Sequence, residues 1–159
     1  MNKKQETKEK TCTFYASDYH FEMISLPYIN QKIETNNEII ILTQTNLEET
    51  MKDFLEKTNI KPEKKEQILK LNWKNENRKK LKNIKEKIKE EKEIIIFIKG
   101  KKEYIQKTNQ ELEKYKLPQN RVKIIDCYSL EEIGENLDYV MDQYHKILKT
   151  AGEKEIQKV

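Results

Sequence analysis

The sequence predicts a single α/β domain: a three-layer, Rossmann-like sandwich with a four- or five-stranded, mostly parallel sheet. Nearly continuous apolar runs at 38–43, 93–98 and 122–128 lack polar alternation, so they fit strands that are covered on both faces. Segments with helical spacing of apolar residues separate these runs, and strands that alternate with helices form parallel sheets through right-handed crossovers. The length of 159 residues suits one domain.

The first predicted elements are a strand at 11–16 and a helix from about 18 to 34. Ser17 and Asp18 are candidate N-caps, because a short side-chain oxygen can accept a hydrogen bond from a free amide of the first turn. The next strand is followed by a helix that Asn46 caps. These elements form the first β-α-β-α unit of the predicted sheet.

The middle of the chain is richer in charge. A helical piece opens at Pro62, and residues 68–73 are the weakest strand candidate because they can also end that helix. A highly charged helix is predicted over 76–92, where the few apolar residues are three and four positions apart. The strand that follows ends at Gly100, and the next helix stops before Pro118.

The last predicted strand leads into the longest predicted helix, from Ser129 to about Thr150. Apolar residues recur through this segment at helical spacing. Ser129 followed by Glu132 has the spacing of a capping box, which supports a helix start at this point.

Two polar tails are expected around the domain at 11–150: a disordered one at 1–10 and a flexible one at 151–159. No apolar run approaches the ~20 residues of a membrane span, and the basic N-terminus lacks the apolar stretch of a signal peptide. Cys12 and Cys127 have no CxxC partner, so we expect neither a disulfide nor a bound metal. These features predict a protein of the reducing cytoplasm, without a membrane partner.

The charge balance gives little support to nucleic-acid binding. The chain has 32 basic and 28 acidic residues, a net charge of +4, and only two arginines, Arg78 and Arg121. Phosphate-binding proteins favour arginine for its planar bidentate fork, so this shortage weakens that interpretation.

Ligands of open parallel sheets bind beyond the carboxyl ends of the strands. The segments that follow the predicted strands are 16–20, 43–46, 72–73, 99–101 and 126–129. Their candidate ligand-binding residues are Ser17, Asp18, His20, Thr45, Trp73, Lys99 and Ser129. The topology predicts that these residues meet at one edge of the sheet.

Several of these candidates have an alternative structural interpretation. His20, near Asp18 and Glu22, has the setting of a general base held by a carboxylate, and equally that of an ordinary half-exposed helix residue. Trp73 fits an aromatic wall for a planar ligand or an anchor of the core. We expect His145 to be structural, because the predicted terminal helix places it far from any strand end.

Familiar cofactor motifs are absent from the sequence. The chain has three glycines, no phosphate loop and no GxGxxG turn, so we expect no nucleotide cofactor. A phospho-acceptor domain would need paired acids after the first strand and an aspartate after the third. The corresponding positions carry only Asp18 and then Asn72.

The charged segment at 74–92 supports an alternative function. It carries nine basic and four acidic residues, and a basic face is what nucleic-acid binding requires. The candidate contact residues are Lys79, Lys80, Lys82 and Lys87. Several of these charges have acidic partners at helical spacing, as Lys80 has Glu76, so a solvated helix face is the competing interpretation.

Over residues 12–60 the chain resembles a known family. The features that carry the match are a strand ending in Phe14 and Tyr15, the acid Glu22, and the LPYI run at 26–29. They resemble the opening of MEDS-type sensory domains. The resemblance implies a degenerate RecA-like core without a phosphate loop that senses a ligand in bacterial signalling. The whole chain also resembles short proteins of low-GC Gram-positive bacteria.

These observations together predict a non-catalytic bacterial regulatory or sensory module. We expect it to bind a small ligand at the strand ends and to signal to a protein partner. The alternative is a nucleic-acid-associated protein that uses the helix at 74–92. An enzyme comes third, because the sequence contains no complete catalytic constellation.

Overall fold

A computed structural model describes residues 9–156, which form an α/β sandwich around one six-stranded sheet. The strands are β1 (Thr11–Tyr15), β2 (Glu38–Thr43), β3 (Ile94–Gly100), β4 (Val122–Ser129), β5 (Lys146–Lys149) and β6 (Gly152–Glu155). The helices are α1 (Asp18–Glu34), α2 (Glu48–Glu56), α3 (Pro62–Leu69), α4 (Asn77–Lys89), α5 (Lys102–Glu113), α6 (Leu130–Ile133) and α7 (Leu137–Met141), with a 3-10 turn at Gly134–Asn136.

The predicted fold class is confirmed. The strand order is β2-β3-β4-β1-β5-β6, and every neighbouring pair is parallel except β5 with β6. The sheet has six strands, where the sequence predicted four or five. Lys99 of β3 lies opposite Cys127 of β4, and Tyr15 of β1 lies opposite Ser129. The carboxyl ends of these three strands therefore meet at one edge.

Two apolar layers cover the sheet. Ile95 and Phe97 of β3 point to the layer of α1, α2 and α3, whereas Ile96 and Ile98 point to the layer of α4 through α7. Alternate residues of a strand face opposite sides, so a strand buried on both sides must be apolar throughout. This requirement explains the uninterrupted apolar runs of the sequence.

The predicted long helix from Ser129 to Thr150 is wrong. Helix α6 ends after one turn, because Gly134 takes a positive φ of 53°. A 3-10 turn and the short α7 follow, and Leu148 then belongs to β5, where it is buried. Leu148 fits the helical pattern of the sequence because a short strand can bury an apolar residue at a position that a helix would also bury.

The predicted C-terminal tail is also corrected. Residues 152–155 form β6, an antiparallel strand that pairs with β5 through a turn where Gly152 has a φ of 114°. Lys123 of β4 makes a bidentate ion pair with Glu153 of β6, at 2.7 and 2.8 Å, which fastens this hairpin to the sheet. The rest of the predicted tails, residues 1–8 and 157–159, lies outside the described residues.

Residues 68–73 form no strand. Leu69 ends α3, and a loop leads on to α4. The outer edge of β2 is covered instead by α4: the Asn77 amide accepts a hydrogen bond from Thr43 N at 3.1 Å and donates one to Thr43 O at 2.9 Å. Lys80 Nζ donates to Ile41 O at 2.6 Å. Uncovered edge strands promote aggregation, so these contacts protect the sheet.

No helix within residues 9–156 combines the length and the apolar character needed to cross a bilayer.

Candidate ligand site at the strand ends

An open crevice of about 530 Å³ lies at the carboxyl edge of the sheet, and we refer to it as the strand-end crevice. Its lining residues are Tyr15, Ala16, Ser17, Asp18, Gln44, Thr45, Lys99, Gly100, Lys101, Ser129, Glu131 and Glu132. Five of the seven predicted residues are among them: Ser17, Asp18, Thr45, Lys99 and Ser129. The strand-end rule therefore brought together residues from four separate segments.

Lys99 provides a buried positive charge in this crevice. Its side chain is only 5% exposed, and its Nζ donates a hydrogen bond to Asp18 Oδ1 at 2.8 Å. The ammonium also lies 4.6 Å from the ring centre of Tyr15 and 5.4 Å from that of Phe21. A buried ammonium needs compensation for lost hydration, which a carboxylate and two aromatic faces supply. The charge is thus held in place before any ligand arrives.

The first turn of α1 forms one wall of the crevice. Ser17 is its N-cap, and its hydroxyl accepts a hydrogen bond from His20 N at 3.1 Å. Asp18 lies in this first turn, where a carboxylate is favoured by the positive end of the helix dipole. The wall therefore carries an acid that is 47% exposed on the solvent side of Lys99.

His20 does not line the crevice, contrary to the prediction. Its Nδ1 accepts a hydrogen bond from Ala16 N at 2.8 Å, which closes the turn between β1 and α1. This contact makes His20 a local structural residue, which is the second of the two interpretations drawn from the sequence.

The start of α5 forms the opposite wall. Gln44 Oε1 accepts a hydrogen bond from Lys101 N at 2.8 Å, and Glu132 Oε1 accepts one from Lys102 N at 3.1 Å. A Cβ at Gly100 would lie 2.7 Å from Gln44 Oε1 and 2.5 Å from Cδ2 of Tyr104, so even alanine at this position would force a side chain to shift. This wall is therefore fixed by side chains from two other segments.

The rim carries two hydroxyl groups. The Ser129 hydroxyl accepts a hydrogen bond from Glu132 N at 3.4 Å, as the predicted capping spacing requires. Thr45 is exposed, and its backbone amide donates to Thr43 Oγ1 at 3.3 Å. Together with Lys101, Glu131 and Glu132, these groups give the crevice hydrogen-bond donors, hydrogen-bond acceptors and charges of both signs.

Glu22 is a residue near the site that the prediction of ligand contacts missed. It is 2% exposed, and its Oε2 has no hydrogen-bond partner among the described residues. Burial raises the pKa of its carboxyl from 4.5 to about 7; the Thr50 side chain and the Lys99 charge oppose this increase, and the charges of Asp18 and Asp53 add to it. The signal was present in the sequence, because Glu22 shares the buried stripe of α1 with Leu26 and Ile29 at i, i+4 and i+7.

Tyr15 lines the crevice, and its ring interacts with the Lys99 ammonium. Burial raises the pKa of its hydroxyl well above the usual value of 10.0, and the nearby Cys127 and Asp18 add to the increase. The phenol therefore stays neutral at any ordinary pH, and its ring face remains available to the Lys99 ammonium.

Trp73 lies in the core and not in the crevice. It is 1% exposed, and its Nε1 donates a hydrogen bond to Ile68 O at 2.8 Å. Its carbonyl accepts a hydrogen bond from Leu47 N at 2.9 Å. The strand that would have delivered Trp73 to the sheet edge does not exist, so the indole anchors the loop against α2 and α3. This arrangement matches the core interpretation.

His145 also has a local backbone role. It precedes β5 and is not part of a helix, and its Nδ1 accepts a hydrogen bond from Lys10 N at 3.0 Å.

The four lysines proposed for nucleic-acid contact do not form one face of α4. Lys79 and Lys82 are exposed, but Lys80 is 4% exposed and donates to the carbonyls of Ile41 and Lys74. Lys87 makes ion pairs with Glu38 at 3.6 Å and with Glu90 at 3.9 Å. Burial lowers the pKa of Lys80 to about 8, partly offset by Glu76. Lys80 is therefore a structural residue of the sheet edge.

Comparisons with protein-family models, curated proteins and solved structures find no match for this chain. Within residues 9–156, no group of three acidic, histidine or cysteine side chains is placed to hold a metal ion.

Proposed function

We propose that the protein is a non-catalytic regulatory module that binds a small polar ligand in the strand-end crevice and signals to a protein partner. The observation that carries the proposal is the buried Lys99 ammonium beside Asp18, at an edge where Ser17, Thr45 and Ser129 also converge. A preformed concave site with a few convergent polar groups is typical of small-molecule binding.

The lining charges favour a small polar metabolite over a polyanion. Lys99 and Lys101 are matched by Asp18, Glu131 and Glu132, so an extended row of phosphates would meet as much repulsion as attraction. A compact molecule with hydroxyl groups, or with both an acidic and a basic group, finds complementary partners on each wall.

The ion pair supports a route from ligand to partner. Lys99 joins β3 to the first turn of α1 through Asp18, so a ligand that competes for either group changes how α1 is anchored. Tyr19 follows Asp18, is 58% exposed and packs against Phe54 of α2 at 5.1 Å between ring centres. A shift of α1 would therefore alter an exposed aromatic surface that a partner can recognise.

The test is a thermal-shift screen of the wild-type protein with nucleotides, amino acids and small carboxylic acids. A ligand that binds only the native state raises the free energy of unfolding by about 2.7 kcal/mol when its concentration is a hundredfold above its Kd. We expect Lys99→Met to lose the shift. Lys107→Met, which removes an exposed lysine of α5 outside the crevice, should keep it. A screen without any shift, or a shift that survives Lys99→Met, contradicts the proposal.

A further inference from the structure

A second cavity, of about 810 Å³, includes a groove between α5 and α7 over β4. We refer to this part as the α5–α7 groove. Asp126 and Tyr128 of β4 form its floor, Asn109 lies on the α5 side, and Tyr144, three residues after α7, lies on the other side. The Tyr128 and Tyr144 side chains belong to the apolar layer on the α4–α7 side of the sheet, and the same cavity extends beyond the groove to Tyr28 and Lys32 of α1.

A carboxylate is buried at the floor of this groove. Asp126 is 4% exposed, and its Oδ1 accepts a hydrogen bond from Asn109 Nδ2 at 3.0 Å. Its Oδ2 accepts one from the Tyr144 hydroxyl at 2.6 Å. Because Tyr144 has a single hydroxyl proton, Tyr128 must donate to Tyr144 in the contact between the two hydroxyls. The chain of donors ends on Asp126 and orients its carboxylate.

The Tyr144 side of the groove already interacts with a cation. The Lys10 ammonium lies 5.2 Å from the centre of the Tyr144 ring, and both residues line the same cavity. Lys10 is exposed, so little holds its flexible side chain in this position. An aromatic face next to a buried carboxylate is an environment that attracts positive charge.

Besides Lys10, the cavity lining has four basic residues, and each has another partner: Lys32 and Lys102 lie over the rings of Tyr28 and Tyr139. An Arg121 guanidinium nitrogen donates to Ile88 O at 3.1 Å, and Lys123 pairs with Glu153. An anionic ligand would therefore meet the Asp126 charge without these four groups to offset it. The amides of Gln106 and Gln143 at the sides can donate to or accept from a ligand of either charge.

We propose that the α5–α7 groove binds small organic cations, molecules with a protonated amine or guanidinium group, between the Asp126 carboxylate and the Tyr144 ring. Such a ligand displaces the Lys10 ammonium from the ring and takes its place closer to Asp126. This site is independent of the strand-end crevice, because the two cavities have no lining residue in common.

The test is calorimetric titration of the full chain with butylammonium and butylguanidinium, and with butanol and butyrate as the uncharged and anionic counterparts. We expect the two cations to bind and their counterparts not to bind. Asp126→Asn should lower the affinity for both cations by about tenfold or more. Asp138→Asn, which neutralises an exposed acid of α7, should leave their affinity unchanged.

Lys10→Ala is a second variant, whose result does not depend on whether Asp126→Asn folds. Removal of the competing ammonium should tighten cation binding by about two- to fivefold. Absence of cation binding to the wild type, equal binding of butyrate, an Asp126→Asn variant that folds and binds normally, or weaker cation binding by Lys10→Ala would overturn the proposal.

Discussion

The Lys99 ammonium at the end of β3 lies 2.8 Å from the Asp18 carboxylate in the first turn of α1, and only the lysine is buried. This difference in burial predicts that replacing Asp18 costs more stability than replacing Lys99. Asp18→Asn leaves a buried ammonium without its counter-ion and should cost about 1–3 kcal/mol. Lys99→Met leaves a half-exposed carboxylate and an apolar chain against Tyr15, and should cost less. Denaturant unfolding of both variants measures the difference, and a larger cost for Lys99→Met would contradict it.

The raised pKa of Glu22 predicts that the free energy of unfolding depends on pH. Its folded-state pKa of about 7 lies above the usual 4.5, so between these values the folded protein holds a proton that the unfolded chain releases. Stability therefore falls as the pH rises from about 4.5 to 7. Glu22→Gln removes this loss and should stabilise the protein by about 1–2 kcal/mol at pH 8, with little effect at pH 4.5.

Glu56→Gln, at an exposed position of α2, is the matched control and should leave the pH profile unchanged. Melting curves of the three proteins from pH 4 to 8 compare them. A Glu22→Gln profile parallel to that of the wild type would show that Glu22 is not the titrating group.

Replacement by alanine should cost much more stability at Lys80 of α4 than at the neighbouring Lys79. Lys80→Ala removes the donor to the Ile41 carbonyl on the β2 edge and should cost about 1–3 kcal/mol. Lys79→Ala alters an exposed side chain and should stay within about 0.5 kcal/mol. Chemical unfolding distinguishes the two. Equal costs would mean that the Lys80 contact contributes nothing to the edge.

Gly100 should resist even the smallest enlargement. A methyl group there would overlap Gln44 Oε1 and the Tyr104 ring, and overpacking of this kind costs about 1–3 kcal/mol. Gly100→Ala should also push Gln44 away from Lys101 N and reshape the crevice wall. Gln44→Ala removes the same hydrogen bond without a clash, so it should cost less in unfolding experiments. A Gly100→Ala variant as stable as the wild type would contradict the predicted overlap with Gln44 and Tyr104.

The sheet and most of the crevice could be predicted because both follow from short-range patterns. A strand buried on both faces must be apolar, so β2, β3 and β4 were visible as runs, and parallel pairing then aligned their carboxyl ends. Asp18 and Lys99 are 81 residues apart, yet this rule alone brought them to one edge.

The remaining features depended on contacts that no local pattern encodes. Trp73 lies elsewhere than predicted because residues 68–73 are compatible with a strand, whereas the Asn77 and Lys80 side chains cover that edge of β2. The β5–β6 hairpin was missed because Leu148 fits a helical stripe as well as a four-residue strand. The resemblance to MEDS-type sensory domains remains a prediction.

The most direct test of the strand-end crevice is chemical-shift mapping by NMR with the strongest ligand from the thermal-shift screen. We expect the largest shifts at the backbone amides of Ser17, Asp18, Thr45, Lys99 and Ser129, and no ligand-induced shift at the corresponding positions of Lys99→Met. Shifts confined to the α5–α7 groove, or spread over the surface without a maximum at these five residues, would contradict this expectation.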